Sequence, residues 1–313
     1  MGAPPPNPRG FTRYGPKYED KNKQAAPENG YGPHTSAARP ALGSLPSVAL
    51  SSGRTGVIYH HLTLKGKYIM LTHPIMDTLQ AMKFYGMRKA FEEQLQTADI
   101  DKLSFEERFG LLVDREMTER HDRRMNTRLK KARLRHAASL EDIDFAQHRG
   151  LDKQLILSMG SCQWLKSHHN VFITGPTGIG KSYLACALAQ KACREGYSAL
   201  YLRLPKLFSD LSLAKGDGRY GRLLAGFAQT DLVILDDFGL SKLNKEQQRD
   251  FLEIIEDRCE MRSTLITSQL PVSHWHELMG DPTLADAILD RIVHNAYQIN
   301  MKGESMRKKK KLT

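Results

Sequence analysis

Short strand-like runs, the last of them less apolar than the rest, and longer stretches of helical spacing alternate through the second half of this chain. The runs fall at 171–174, 199–203, 232–235, 264–267 and 297–300, with helical segments between them. Strand alternating with helix predicts an α/β fold built on a parallel sheet covered on both faces. From 74 to about 150 the pattern is helical. Ile75, Leu79 and Met82 keep a helical spacing, Gly86 interrupts it, and Met87, Phe91 and Leu95 resume it. Ser104-Phe105-Glu106-Glu107 reads as a capping box opening a long helix, with Phe105, Phe109, Leu112 and Val113 on its apolar face.

Residues 1–69 carry few large aliphatics and much Pro, Gly, Ser and Ala. That composition predicts a disordered tail. An upstream reading-frame extension is the alternative, because Met70-Leu71-Thr72-His73-Pro74 looks like a natural beginning. The pattern thus divides the chain into this tail, a small all-helical domain over 70–150, an α/β domain over 151–301 and a basic tail over 302–313.

The first apolar run leads directly into Gly175-Pro176-Thr177-Gly178-Ile179-Gly180-Lys181-Ser182, followed by Tyr183 and a helical stretch. This fits the phosphate-cradling P-loop, G-x-x-x-x-G-K-[ST]. Glycines let the backbone curl until successive N–H groups face phosphate oxygens, and the helix N-terminus adds partial positive charge. Lys181 is expected on the β- and γ-phosphates, and the Ser182 hydroxyl on Mg²⁺. The third run ends Leu235-Asp236-Asp237. Nucleotide hydrolysis needs one carboxylate in the metal shell and another that orients water. Asp236 is assigned to the metal and Asp237 to the water. The fourth run ends Thr267-Ser268-Gln269. Gln269, with Ser268 close behind, is placed to reach the γ-phosphate or the attacking water, and capping of the following turn is the alternative. Arg291 precedes the last run. It is either a cation projected into a neighbouring subunit's nucleotide or a local salt bridge with Asp290 or Asp286.

The net charge of +11 over 313 residues favours an anionic partner, nucleic acid before membrane. Arg120, Arg124, Arg128, Lys131 and Arg135 recur at steps of three and four, which predicts a cationic stripe along one helical face. Nearly free of acids, the stripe reads as a DNA-backbone contact, with a solvated face as the alternative. No apolar run reaches the roughly 18 residues of a membrane span. The four cysteines show no C-x-x-C spacing, which suits a reducing cytoplasm.

Taken together, GPTGIGKS, LVILDDFG, TLITSQLP, LADAILDRI and INMKGESMR resemble the IstB family, ATP-binding helpers of insertion sequences. The similarity runs from about Met70 to Arg307 and is close to the DnaC helicase loaders. It implies an AAA+ P-loop domain with a five-stranded sheet in the order 5-1-4-3-2. It also implies ATP and Mg²⁺ as cofactors, homo-oligomers on duplex DNA, and stimulation of a cognate transposase. Under it Lys181, Ser182, Asp236, Asp237, Gln269 and Arg291 keep the roles above. Arg307 matches a sensor-2 arginine, although the usual helical lid after the last strand is missing from the pattern. A DnaC-like helicase loader and a non-hydrolysing ATP-binding DNA scaffold are the competing readings.

Overall fold

All five apolar runs become strands of one parallel sheet in the computed structural model. The structure describes residues 74–306, together with a short antiparallel pair formed by Thr63–Leu64 and Lys67–Tyr68. The strands are β1 (Asn170–Thr174), β2 (Ala199–Arg203), β3 (Leu232–Phe238), β4 (Ser263–Ser268) and β5 (Ala296–Asn300). Their order is β2-β3-β4-β1-β5, the AAA+ order expected from the resemblance. The expected tail or extension over 1–69 lies outside the described residues apart from that short pair. Arg307 and the Lys308–Lys311 run lie outside them as well.

Eleven helices are described: α1 (Pro74–Ala81), α2 (Tyr85–Gln96), α3 (Phe105–Ala132), α4 (Lys153–Met159), α5 (Gln163–Lys166), α6 (Lys181–Arg194), α7 (Leu204–Gly216), α8 (Tyr220–Gln229), α9 (Lys245–Arg258), α10 (Trp275–Met279) and α11 (Pro282–Val293). Side chains alternate across the sheet as the strand period demands. Val171, Ile173, Ile234 and Leu265 pack on Leu184, Ala187 and Leu188 of α6. Phe172, Val233, Leu235 and Ile266 pack on the opposite layer, against Phe208, Phe251, Trp275 and Ile288. Burial on both faces explains why these strands read as unbroken apolar runs. Cys186 and Cys193 are fully buried on α6, and burial pushes both thiols up, so they serve as packing.

Three sequence expectations change in the helical region. The first concerns Gly86, which does not break the helix. The break falls at Met82–Phe84, where Lys83 takes a left-handed φ of 62°. Gly86 lies inside α2, and a Cβ there would come within 2.6 Å of the Arg115 carbonyl and the Glu116 Cα. Its role is close approach of α2 to α3. Next, the apolar face of α3 is only partly used: Phe105 and Phe109 are 68% and 47% exposed and stack on each other at 5.9 Å. Last, α3 ends at Ala132 with Arg133 in a left-handed cap, so Arg135 is not on the helix and the five cations share no single helical face. The capping box at Ser104 and Glu107 forms as expected.

The α2–α3 contact turns on one buried carboxylate. Phe84 gives α2 no side-chain cap. Glu116 supplies it from α3, accepting from the Gly86 and Met87 amides at 2.7 and 3.1 Å and from Arg120 at 2.6 Å. Burial pushes its pKa up, but the bonds from Arg120 and the two amides outweigh burial and leave it below the ordinary value of 4.5. Beyond α3, residues 133–152 lie across the sheet layer, with Ala138, Leu140 and Ile143 in its core. After β5 the chain turns back over the glycine loop, with Met301 N donating to Thr174 O at 2.8 Å and Met306 N to Gly178 O at 2.9 Å.

Glu116→Gln is expected to lower stability at neutral pH by about 1–3 kcal/mol, the cost of weakening buried charge-assisted bonds. A depressed folded pKa stabilises above the unfolded value and ceases to do so as pH falls through the folded one. The gap between wild type and variant in thermal melts should therefore close on acidification below the ordinary carboxylate range. A gap that persists at low pH argues against the capping role.

Candidate nucleotide site

The glycine loop runs from the end of β1 to the start of α6, where the sheet order opens a crevice at the strand C-termini. Two of its positions show why glycine is needed. Gly175 has φ 144°, and a Cβ there would sit 2.3 Å from the Met301 carbonyl. Gly180, at φ 111°, is the left-handed cap from which α6 begins. The resulting N-terminus faces a cavity of about 410 Å³, lined by Thr177, Gly178, Gly180, Lys181, Ser182 and Tyr183 among others. That is the size of a small-molecule site. Pro176 and Ile179 complete the loop, with Ile179 buried beneath it.

Lys181 Nζ donates to the Gly175 and Pro176 carbonyls at 2.7 and 2.9 Å. Burial lowers its pKa, and the nearby Asp236 and Asp237 carboxylates offset part of that. Ser182 Oγ donates to Asp236 at 2.9 Å. Asp236 is fully buried and also accepts from Tyr201 and Thr267, with Arg135 Nη1 at 3.7 Å. Burial, then Asp236 itself, pushes the Tyr201 hydroxyl well up, so it stays a neutral donor. A hydroxyl beside a buried carboxylate is a hard-oxygen donor set. It fits Mg²⁺, which takes one or two protein oxygens and completes its shell with water and phosphate.

A bulge separates the two acids. Leu235 pairs with Ile266 but Phe238 with Ser268, so β3 carries one extra residue there. Bulges re-aim side chains next to active sites. Asp236 turns inward, while Asp237, at φ 65°, faces the cavity. Arg203 at the end of β2 holds Asp237, with Nε and Nη2 at 2.9 and 2.8 Å. Gln269 lines the cavity too and accepts from Thr177 Oγ1 at 2.8 Å. Ser268 is instead buried against the Phe238 carbonyl at 2.9 Å.

Other expected residues lie apart from the cavity. Arg291 on α11 donates to Ala287 O at 2.8 Å and pairs with Glu256 of α9 at 3.0 Å, rather than with Asp290 or Asp286. Along α3, Arg120 pairs with Glu116 and lies 5.0 Å from the Phe84 ring centre. Arg128 Nε donates to Cys193 O at 2.8 Å, tying α3 to the last turn of α6. Arg124 and Lys131 are exposed, and neither has an ion pair among the described residues. Arg135 lines the nucleotide cavity instead.

Sequence reasoning missed two further groups: Arg203, Tyr201 and Thr267, which bond the two acids, and the 136–149 segment, whose His136, Asp142, Asp144 and Arg149 line the cavity. Arg149 is 9% exposed and bonds the Asp144 carbonyl through Nη2 at 2.5 Å, while its buried Nε has no partner among the described residues. The signal for Arg203 and Thr267 was their place at strand C-termini, where ligand crevices form. The 136–149 segment has no regular structure and no motif, so nothing in the sequence marked it.

Lys181→Ala is expected to weaken ATP binding by about tenfold to a hundredfold, as charge-assisted phosphate contacts are worth about 1.5–3 kcal/mol. Asp236→Asn should weaken only the Mg²⁺-dependent part. Calorimetric titration with and without Mg²⁺ checks both, and unchanged affinity for Lys181→Ala would remove the phosphate assignment.

Comparison with known proteins places the chain. The family described as IstB-like ATP binding protein matches residues 77–313. An insertion sequence ATP-binding protein of Sinorhizobium fredii, y4pL, is 52% identical over 239 residues, covering 76% of this chain and 98% of its own. The insertion sequence IS21 ATP-binding protein of Pseudomonas aeruginosa is 34% identical, covering 76% of this chain and 90% of its own. Among solved structures, DnaI is 23% identical with a TM-score of 0.47, covering 53% of this chain and 91% of that one. With the family matched across most of its length and its glycine loop and carboxylates assembled around one cavity, the chain belongs to the IstB-like ATP-binding proteins.

Proposed function

We propose that the protein is a DNA-dependent ATPase that assembles on duplex DNA and regulates a partner transposase. The observation that carries the ATPase part is the pair of carboxylates set apart by the β3 bulge, one bonded to Ser182 and one facing the cavity. The loop amides and Lys181 bind and orient the triphosphate. Asp237 polarises the attacking water once Arg203 gives up its carboxylate, and Gln269 helps position that water. Mg²⁺, held through Ser182 and Asp236, supplies charge neutralisation on the phosphates. Arg291 completes the site of a neighbouring copy in a homo-oligomer, which requires it to leave Glu256. The names of the relatives support the insertion-sequence setting. The transposase and homo-oligomer parts rest on the family resemblance, and a cytoplasmic setting rests on the cysteine spacing. Among the described residues no helix is long and apolar enough to cross a membrane.

DNA contact falls to the part of α3 that the structure leaves open, Arg124 and Lys131, with Lys130 beside them. Arg120 and Arg128 are engaged internally and orient the helix.

ATP turnover measured with and without duplex DNA tests the enzymatic reading. Wild type should hydrolyse ATP faster with DNA. Asp237→Asn should bind ATP and lose turnover. Arg291→Ala should bind ATP yet not hydrolyse it, and mixing it with Asp237→Asn should restore some activity. No hydrolysis under any condition leaves a binding scaffold. Absence of recovery in confirmed mixed assemblies makes Arg291 a structural ion pair.

Neutralising Arg124, Lys130 and Lys131 together should weaken DNA binding and flatten its log–log salt slope by about two to three units, at about 0.9 per phosphate contact. Fluorescence anisotropy across a salt series reads this, and an unchanged slope makes the helix a solvated face.

A further inference from the structure

The chain between the basic helix and the metal-holding carboxylate is unusually direct. Arg128 bonds Cys193 in the last turn of α6. The backbone of Arg135 and His136 lies against Cys186 midway along that helix. The Arg135 guanidinium then reaches Asp236, which Ser182 binds from the first turn. The stretch from Arg128 to Arg135 therefore runs back along α6, from its far end to the nucleotide cavity. Only Arg133 and Leu134 separate the end of α3 from Arg135.

The contact at the cavity end is built to exchange. At 3.7 Å the Arg135–Asp236 approach is longer than a hydrogen bond. Asp236 keeps Ser182, Tyr201 and Thr267 as donors when Arg135 leaves, so its buried charge is not orphaned. Arg135 itself is 39% exposed and lines the same cavity as Lys181 and Ser182. A triphosphate on the glycine loop offers that guanidinium more negative charge than one carboxylate does, with bidentate geometry suited to it.

We infer that Arg135 is a latch between the nucleotide site and the basic helix: it holds Asp236 until a metal-bound triphosphate takes the guanidinium over, and the exchange moves the end of α3. The nucleotide state is thereby written into the helix that carries Arg124 and Lys131. The latch is a positioning device, and its effect on DNA rests on the DNA-contact reading above.

Hydrogen exchange of the amides over 129–137 tests the latch without DNA. In wild type, Mg²⁺ with a non-hydrolysable ATP analogue should speed exchange there by about fivefold or more, the usual lower range of site-to-site coupling. The analogue without Mg²⁺ should do less. Arg135→Ala, which has no guanidinium to exchange, should change little on loading. Arg135 and Asp236 both bond the Tyr201 hydroxyl, so Tyr201→Phe, which removes it, should fall between wild type and Arg135→Ala. Wild-type exchange that stays constant while the 178–182 amides gain protection overturns the latch. So does an Arg135→Ala variant that keeps the wild-type response. DNA affinity measured in parallel should depend on nucleotide in wild type and not in Arg135→Ala. Absence of DNA binding in wild type sinks the DNA reading alone and leaves the exchange data to decide the latch.

Discussion

Asp236 is a carboxylate with no access to water, and an uncompensated buried charge costs several kcal/mol. Satisfying it organises the site. Ser182 comes from α6, Tyr201 from β2, Thr267 from β4 and Arg135 from the segment after α3. Each donor arrives only if its own element is in register, so one charge ties together the glycine loop, the central strands and the exit from the helical region. The same requirement leaves every donor at this place answering to one group.

What the sequence made legible follows from whether chemistry is contiguous. The loop from Gly175 to Ser182 and the acids Asp236 and Asp237 each sit in one run of chain, where a motif can be read directly. The three inner strands were equally plain, since burial on both faces removes most polar residues from them. Tyr201, Arg203 and Thr267 became visible only through pairing. Arg203 stands opposite Asp236 across β2 and β3, and no local pattern reports which strand lies beside which.

The misplacements have physical causes as well. Spacing of cations at three and four residues cannot sense that a helix stops, and here it stops at an arginine in the left-handed region, where glycine is usual. Arg135 keeps the period of the stripe and none of its position. Gly86 was read as a breaker because glycine disfavours helix. The energetic reward for its missing Cβ lies in α3, nearly thirty residues away, beyond the reach of a local rule.

The return of residues 301–306 over the glycine loop means that the nucleotide cavity does not end with the sheet. Met301 presses its carbonyl toward Gly175, and Met306 donates to Gly178. A chain trimmed after Asn300 would retain the whole glycine loop with Asp236 and Asp237 and still lose the backing against which the loop is shaped. For anyone cutting or fusing this protein, the last strand is therefore the wrong boundary: the working edge of the site lies in the few residues beyond it.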